Sequence, residues 1–125
     1  MKFKITLTPS NYYQDAKKSK YLNPVIVESL EDFKKVILKD YACAVYKNNH
    51  RSIDDFLYAD AIVFDIDNDH SENPDDWMTP NKVSSFFSDV PIYIQYSRNH
   101  MKNKNNKPAR PKFHIIFPID KVTDA

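Results

Sequence analysis

The run Ala61-Ile62-Val63-Phe64-Asp65-Ile66-Asp67 reads as an apolar strand that ends in two carboxylates at i and i+2. Four of the five residues from Ile62 to Ile66 are apolar, with β-branched and aromatic side chains among them, so a buried strand is expected there. Residues two apart on a strand project from the same face, about 6.6 Å apart at Cα, so Asp65 and Asp67 should share a face while Ile66 packs on the other. Two carboxylates close together repel as anions, and beside a buried strand they are costly without a partner. A divalent cation resolves that cost, because Mg2+ or Mn2+ takes hard oxygen ligands and keeps waters and substrate phosphates in its remaining positions. Asp69 and His70 follow at the strand exit, where a polar turn explains them better than a role beside the metal.

Outward from this strand, other elements follow from local pattern. Phe3, Ile5 and Leu7 alternate with Lys4, Thr6 and Thr8, as in a half-buried strand. Residues 9–23 are polar and tyrosine-rich, a connection with some helix. Ser29 followed by Asp32 is an N-cap signal, and Leu30, Phe33, Val36 and Ile37 recur at helical spacing, which predicts a helix ending near Asp40. Ala42 to Tyr46 reads as a strand. A second helix is expected after Thr79-Pro80, with Val83, Phe86 and Phe87 on one face. Ile92 to Tyr96 and Phe113 to Ile119 are two further strands. Strands and helices are interspersed, so the expected class is α+β, a central sheet with flanking helices in a single domain spanning 1–125.

Composition narrows the chemistry. The chain has 42% apolar and 14% aromatic residues, enough for one folded core. It contains no glycine, where average usage of roughly 7% predicts about nine. Walker and dinucleotide-binding loops, which need backbone approaching phosphate without a Cβ, are therefore excluded. The single cysteine, Cys43, lies in an apolar run and reads as a buried thiol rather than a nucleophile. No stretch approaches the ~20 apolar residues of a membrane span, and the first residues lack a signal-peptide core, so a soluble cytoplasmic protein is expected.

The net charge of +1 conceals a segregation. Between Ser52 and Asn81 there are nine acidic residues and no Lys or Arg. Between Arg98 and His114 there are six basic residues, two His and no acid. One segment can hold cations and the other can meet polyanions, although two solvated loops attracting each other would show the same pattern. In the run Pro111-Lys112-Phe113-His114-Ile115-Ile116-Phe117-Pro118, period two puts Lys112 and His114 on one face, a grip for phosphate oxygens. The loop before it, rich in Asn and Lys, is long for a hairpin and is expected to be mobile, with Arg98, Lys102, Lys104, Lys107 and Arg110 available to a nucleic-acid backbone.

A lone DxD at a strand end also occurs in phosphatases of the haloacid dehalogenase type and in glycosyltransferases. The former usually continue with Thr or Val and a Gly, whereas Asn68-Asp69 stands here. Taken together, the apolar lead Ile62-Val63-Phe64 into Asp65 and Asp67, and the run His114-Ile115-Ile116-Phe117-Pro118, resemble the archaeo-eukaryotic primase superfamily, especially its primase-polymerase branches in plasmids, phages and mobile elements. The runs His50-Arg51-Ser52-Ile53-Asp54-Asp55-Phe56 and Asp76-Trp77-Met78-Thr79-Pro80 also look like mobile-element members, and the resemblance covers about residues 45 to 120, roughly 60% of the chain. The family usually has a small hydroxyl residue two positions before the His, where this chain has Lys112.

The resemblance implies a DNA primase or polymerase, a metal-dependent nucleotidyltransferase of DNA replication. Asp65 and Asp67 would be its catalytic, metal-holding pair for Mg2+ or Mn2+. His114, with Lys112, would bind the phosphates of a nucleoside triphosphate, and Arg51 is a weaker candidate for a phosphate or template contact. Single-stranded DNA would be the template, with a helicase region expected downstream. The family's third carboxylate should lie tens of residues beyond His114; Asp120 and Asp124 are too close, which leads to the expectation that this is the N-terminal part of a longer catalytic domain. Two other readings stay open: a non-catalytic module that binds single-stranded nucleic acid through the basic hairpin, and a phosphatase-like hydrolase with Asp65 as nucleophile.

Overall fold

Strand β1 (Ile5–Pro9) buries both of its faces, because its two threonines find hydrogen-bond partners inside. Asp60 accepts from the Thr6 backbone N–H at 2.7 Å and from the Thr6 hydroxyl at 2.8 Å, and the Thr8 hydroxyl donates to the Ala44 carbonyl at 2.6 Å. A hydroxyl with a partner loses little on leaving water, so the strand expected to be half-buried from the alternation is buried on both faces from Ile5 to Thr8. The computed structural model describes residues 4–13, 15, 17–103 and 108–124; Phe3, expected in this strand, lies outside them.

The class is α+β, dominated by strands, with two antiparallel sheets where one central sheet was expected. One has three strands in the order β2 (Val25–Val27), β1, β3 (Tyr41–Ala42). The other has four, in the order β4 (Val45–Tyr46), β5 (Phe56–Ile66), β7 (Phe113–Val122), β6 (Tyr93–Tyr96). The single strand expected over Ala42 to Tyr46 is thus two short ones, parted by a bend at Cys43-Ala44. The chain divides into two compact units, Met1–Ile62 with Pro118–Ala125, and Val63–Phe117. Strands β5 and β7 each run from one unit into the other.

In the first unit, helix α1 (Leu30–Val36) starts where its cap chemistry dictates. Ser29 accepts the Asp32 N–H through its hydroxyl, satisfying one orphan donor, and the Asp32 carboxylate accepts the N–H of Glu28, the residue before the cap, at 3.1 Å. The helix stops at Val36, one turn short of the expected Asp40. It packs Phe33 and Val36 against β1 and β2, where Ile5, Leu7 and Val27 complete the core. Truncating Phe33 to Ala there costs about 3–5 kcal/mol. Among the described residues of the 9–23 connection no helix forms; Lys20 instead bridges His50.

In the second unit, helix α2 (Pro80–Phe86) is capped by Thr79, whose hydroxyl accepts the Lys82 N–H, with Pro80 at the first helical position. Val83 anchors a core with Phe113 and Ile115, joined by Ile66, Met78, Ile92, Ile94 and Phe117. Phe87 reaches the same core edge-on to Phe117, with centroids 5.0 Å apart, but Phe86 turns out and is 71% exposed. The expected burial of Ile62 to Ile66 fails as well. Phe64 is 49% exposed and Ile62 and Val63 are exposed; only Ile66 joins the core. A continuous apolar run says which residues can be covered, and cover on both faces needs elements that this stretch lacks among the described residues.

With no glycine in the chain, left-handed backbone falls to other residues: Asn48, Asn49, Asn68 and Met101, with φ between 54° and 57°. Asparagine tolerates that region because its short amide bonds locally; methionine has no such compensation.

Candidate active site

Asp65 is the penultimate residue of β5, and Asp67 stands one residue past its end. Both are exposed, the Asp65 side chain by 60%. Neighbouring β7 places His114 beside Asp65, with its Nε2 3.5 Å from the Asp65 Oδ1. Period-two geometry explains the meeting: Phe64 and Ile66 turn to the Phe117 and Phe113 side of the sheet, which leaves Asp65 and His114 on the other. Gln95 of β6 is the ladder partner of His114 and shares its face. At this exposure the contact contributes at most about 1 kcal/mol, so it positions chemistry more than it holds the fold. Exposure also removes the desolvation cost expected for two carboxylates beside a buried strand.

The turn after Asp67 is built by Asn68, which sequence reasoning passed over. It is buried at φ 56° and its amide makes three bonds: Nδ2 to the Met78 and Pro111 carbonyls, both 2.8 Å, and Oδ1 from the Met78 N–H at 2.7 Å. The signal was present, since an asparagine directly after a strand in a glycine-free chain is the residue best suited to a left-handed turn. The remaining acidic loop is tied to itself. His70 meets the Asp76 carbonyl at 2.8 Å, the Ser71 hydroxyl donates to the Asp76 carboxylate, and Trp77 Nε1 donates to the Ser71 carbonyl. His70 therefore belongs to a polar turn, as expected.

The basic residues separate into two groups. Arg98 and Lys102 are exposed in the turn after β6. Lys104 and Lys107 lie outside the described residues. Arg110, expected at a nucleic-acid surface, is 2% exposed, and its Nη1 donates to the Asn68 carbonyl at 2.7 Å, with Asp69 Oδ1 at 3.7 Å. A guanidinium spent on buried carbonyls cannot also present itself to phosphate, so its work is structural. Lys112, expected to share a phosphate grip with His114, precedes β7 and is buried. Its backbone is held by His100 and Ser97, and its side chain makes no hydrogen bond or ion pair among the described residues. Arg51, in the first unit, donates to the Tyr21 hydroxyl at 2.9 Å and lies over that ring. Burial opposes its charge, but the Tyr21 and Tyr46 hydroxyls hold its proton above the ordinary range.

The structure thus brings together Asp65 and His114 with Asp67 adjacent in sequence. Among the described residues, no three His, Cys, Asp or Glu side chains converge into a metal cage. Two exposed carboxylates suit a hard cation that completes its shell with water and phosphate, rather than one enclosed by protein. Scanned against protein-family models, curated proteins and solved structures, the chain matches none.

Proposed function

We propose that this chain carries the metal-binding part of a DNA primase- or polymerase-type nucleotidyltransferase acting in DNA replication, as its resemblance to the archaeo-eukaryotic primases implies. The observation that carries the reading is the Asp65–His114 juxtaposition at 3.5 Å, an acid and an imidazole contributed by neighbouring strands 49 positions apart in sequence (114 − 65). Asp65 and Asp67 would hold Mg2+ or Mn2+ through exposed carboxylate oxygens. When bound, such a cation supplies Lewis-acid stabilisation of phosphate charge and lowers the pKa of an attacking hydroxyl. His114 donates to a phosphate oxygen of a nucleoside triphosphate and orients it against the carboxylates. Single-stranded DNA is the template in this reading, and a helicase region is the partner expected in the same chain or operon.

Two measurements test it. Mn2+ binding in the presence of a deoxynucleoside triphosphate, followed by water-proton relaxation, should weaken at least about tenfold in Asp65→Ala and in Asp67→Ala, a loss of ~1.4 kcal/mol. Primer extension with Mg2+ or Mn2+ should disappear in both variants while circular dichroism stays unchanged. Wild-type binding and extension in both variants would end the reading.

A further inference from the structure

Tyr96 closes β6 opposite Phe113, its ladder partner. Ladder partners project to the same face, yet Phe113 is fully buried and Tyr96 is 59% exposed, so this face runs from core to solvent within one rung. The exposed ring is not bare. The His100 imidazole lies against it, centroids 4.2 Å apart and planes tilted by 33°.

The imidazole is held in place. Its Nδ1 accepts the Lys112 backbone N–H at 3.1 Å, which leaves Nε2 to carry the proton of the neutral ring. The His100 backbone N–H donates to the Ser97 carbonyl at 3.0 Å, and the Met101 backbone N–H donates to the Arg110 carbonyl at 2.9 Å. Met101 sits at φ 55°, a conformation costing about 1–2 kcal/mol for a residue with this side chain. A turn that sustains this cost is one whose shape is over-determined by its surroundings. Charge follows the same geometry. No acidic residue occurs between Asp89 and Asp120; Arg98, between the two ring residues in the chain, and Lys102, two residues after His100, are both exposed.

We propose that the Tyr96–His100 pair is a stacking platform for an unpaired base of single-stranded DNA, with Arg98 and Lys102 meeting the backbone phosphates on either side. A preformed aromatic surface in a positive, acid-free segment is what base stacking requires, and duplex DNA cannot offer a free base face to it. The proposal rests on the nucleic-acid reading of the Asp65–His114 site, and it concerns residues that the metal and triphosphate do not use.

The test is fluorescence anisotropy with labelled oligothymidylate of about 12 nucleotides at about 50 and 200 mM salt. Tyr96→Ala should weaken binding about 5- to 100-fold with an unchanged salt slope, the effect of one lost stack. Tyr96→Phe should bind within about twofold of wild type, since the ring face is retained. Arg98→Ala should weaken binding with a shallower salt slope. Melting curves of all three should match wild type, because both side chains are exposed. Wild-type affinity in Tyr96→Ala, or a Tyr96→Phe loss as large as that of Tyr96→Ala, overturns the platform and leaves the metal-site reading standing. Equal competition by duplex DNA or by an acidic peptide also overturns it. Failure of Mn2+–nucleotide binding at Asp65 and Asp67, with Tyr96-dependent oligonucleotide binding intact, would remove the catalytic reading and keep the platform.

Discussion

Arg110 and Asn68 hold each other's segments: the Arg110 guanidinium donates to the Asn68 carbonyl at 2.7 Å, and the Asn68 amide donates to the carbonyl of Pro111, the residue after Arg110, at 2.8 Å. This reciprocal latch joins the turn that follows Asp67 to the segment that leads into His114. The two sides of the candidate site are therefore registered by buried polar bonds, and the exposed Asp65–His114 pair inherits its position from them.

The latch predicts an order of stabilities that conformation alone would reverse. Arg110→Met leaves the Asn68 carbonyl without its buried donor and should cost about 2–4 kcal/mol. Asn68→Gly keeps the left-handed backbone but loses three side-chain bonds, and should cost about 1–3 kcal/mol. Asn68→Ala adds the left-handed penalty and should be worse by about 1 kcal/mol. Urea unfolding of the three variants checks the order; a Gly variant as stable as wild type would show that only the backbone matters.

His114→Ala should weaken binding of a deoxynucleoside triphosphate about tenfold, ~1.4 kcal/mol, while leaving Mn2+ binding in the absence of nucleotide within about twofold. Calorimetric titrations with and without nucleotide separate these effects. Equal losses in both titrations would assign the imidazole to the cation instead of the phosphate.

Burial pushes the Cys43 thiol up to about 11, with the Arg51 charge opposing the rise and Asp60 adding to it. At pH 8 the thiolate should be roughly a hundredfold scarcer than in an unfolded chain, so labelling by a disulfide reagent should be slower by that factor in the native state. The sign for stability follows. The fold favours the neutral thiol, so this contribution is complete below the ordinary thiol value and is lost as pH climbs through about 11. Native-state labelling at pH 8 as fast as that of the urea-unfolded chain would contradict it.

Met101→Asn relieves left-handed strain without the unfolded-state entropy of glycine, and should stabilise the protein by about 1 kcal/mol, near 4 °C in Tm. Differential scanning calorimetry reads this directly. A lowered Tm would mean that the thioether makes up for its backbone cost through packing.

What could be read beforehand was what is local. The Ser29 and Thr79 caps are decided within four residues of the chain, and both helices begin where that chemistry predicts. Period two assigned Asp65 and His114 each to a face of its own strand, but the adjacency of β5 and β7 that brings the two together was not local information. Distant partners were illegible. The burial of Thr6 depends on Asp60, 54 positions away, and the inward turn of Arg110 depends on Asn68, 42 positions away. Charge content placed Arg110 and Lys112 with the solvent-facing bases, although carbonyls and core packing claim them. The short β2 escaped because three residues are too few for a period to show; its register with β1 is what makes it a strand.

The Ser71 carbonyl accepts both the indole Nε1–H of Trp77, at 2.8 Å, and the Arg110 guanidinium, at 3.4 Å. Trp77 is the only tryptophan in the chain. The molecule thus carries a built-in optical reporter wired to the latch beside Asp67: selective excitation of that one indole registers any loosening of the acidic loop as a change in emission, with no label attached.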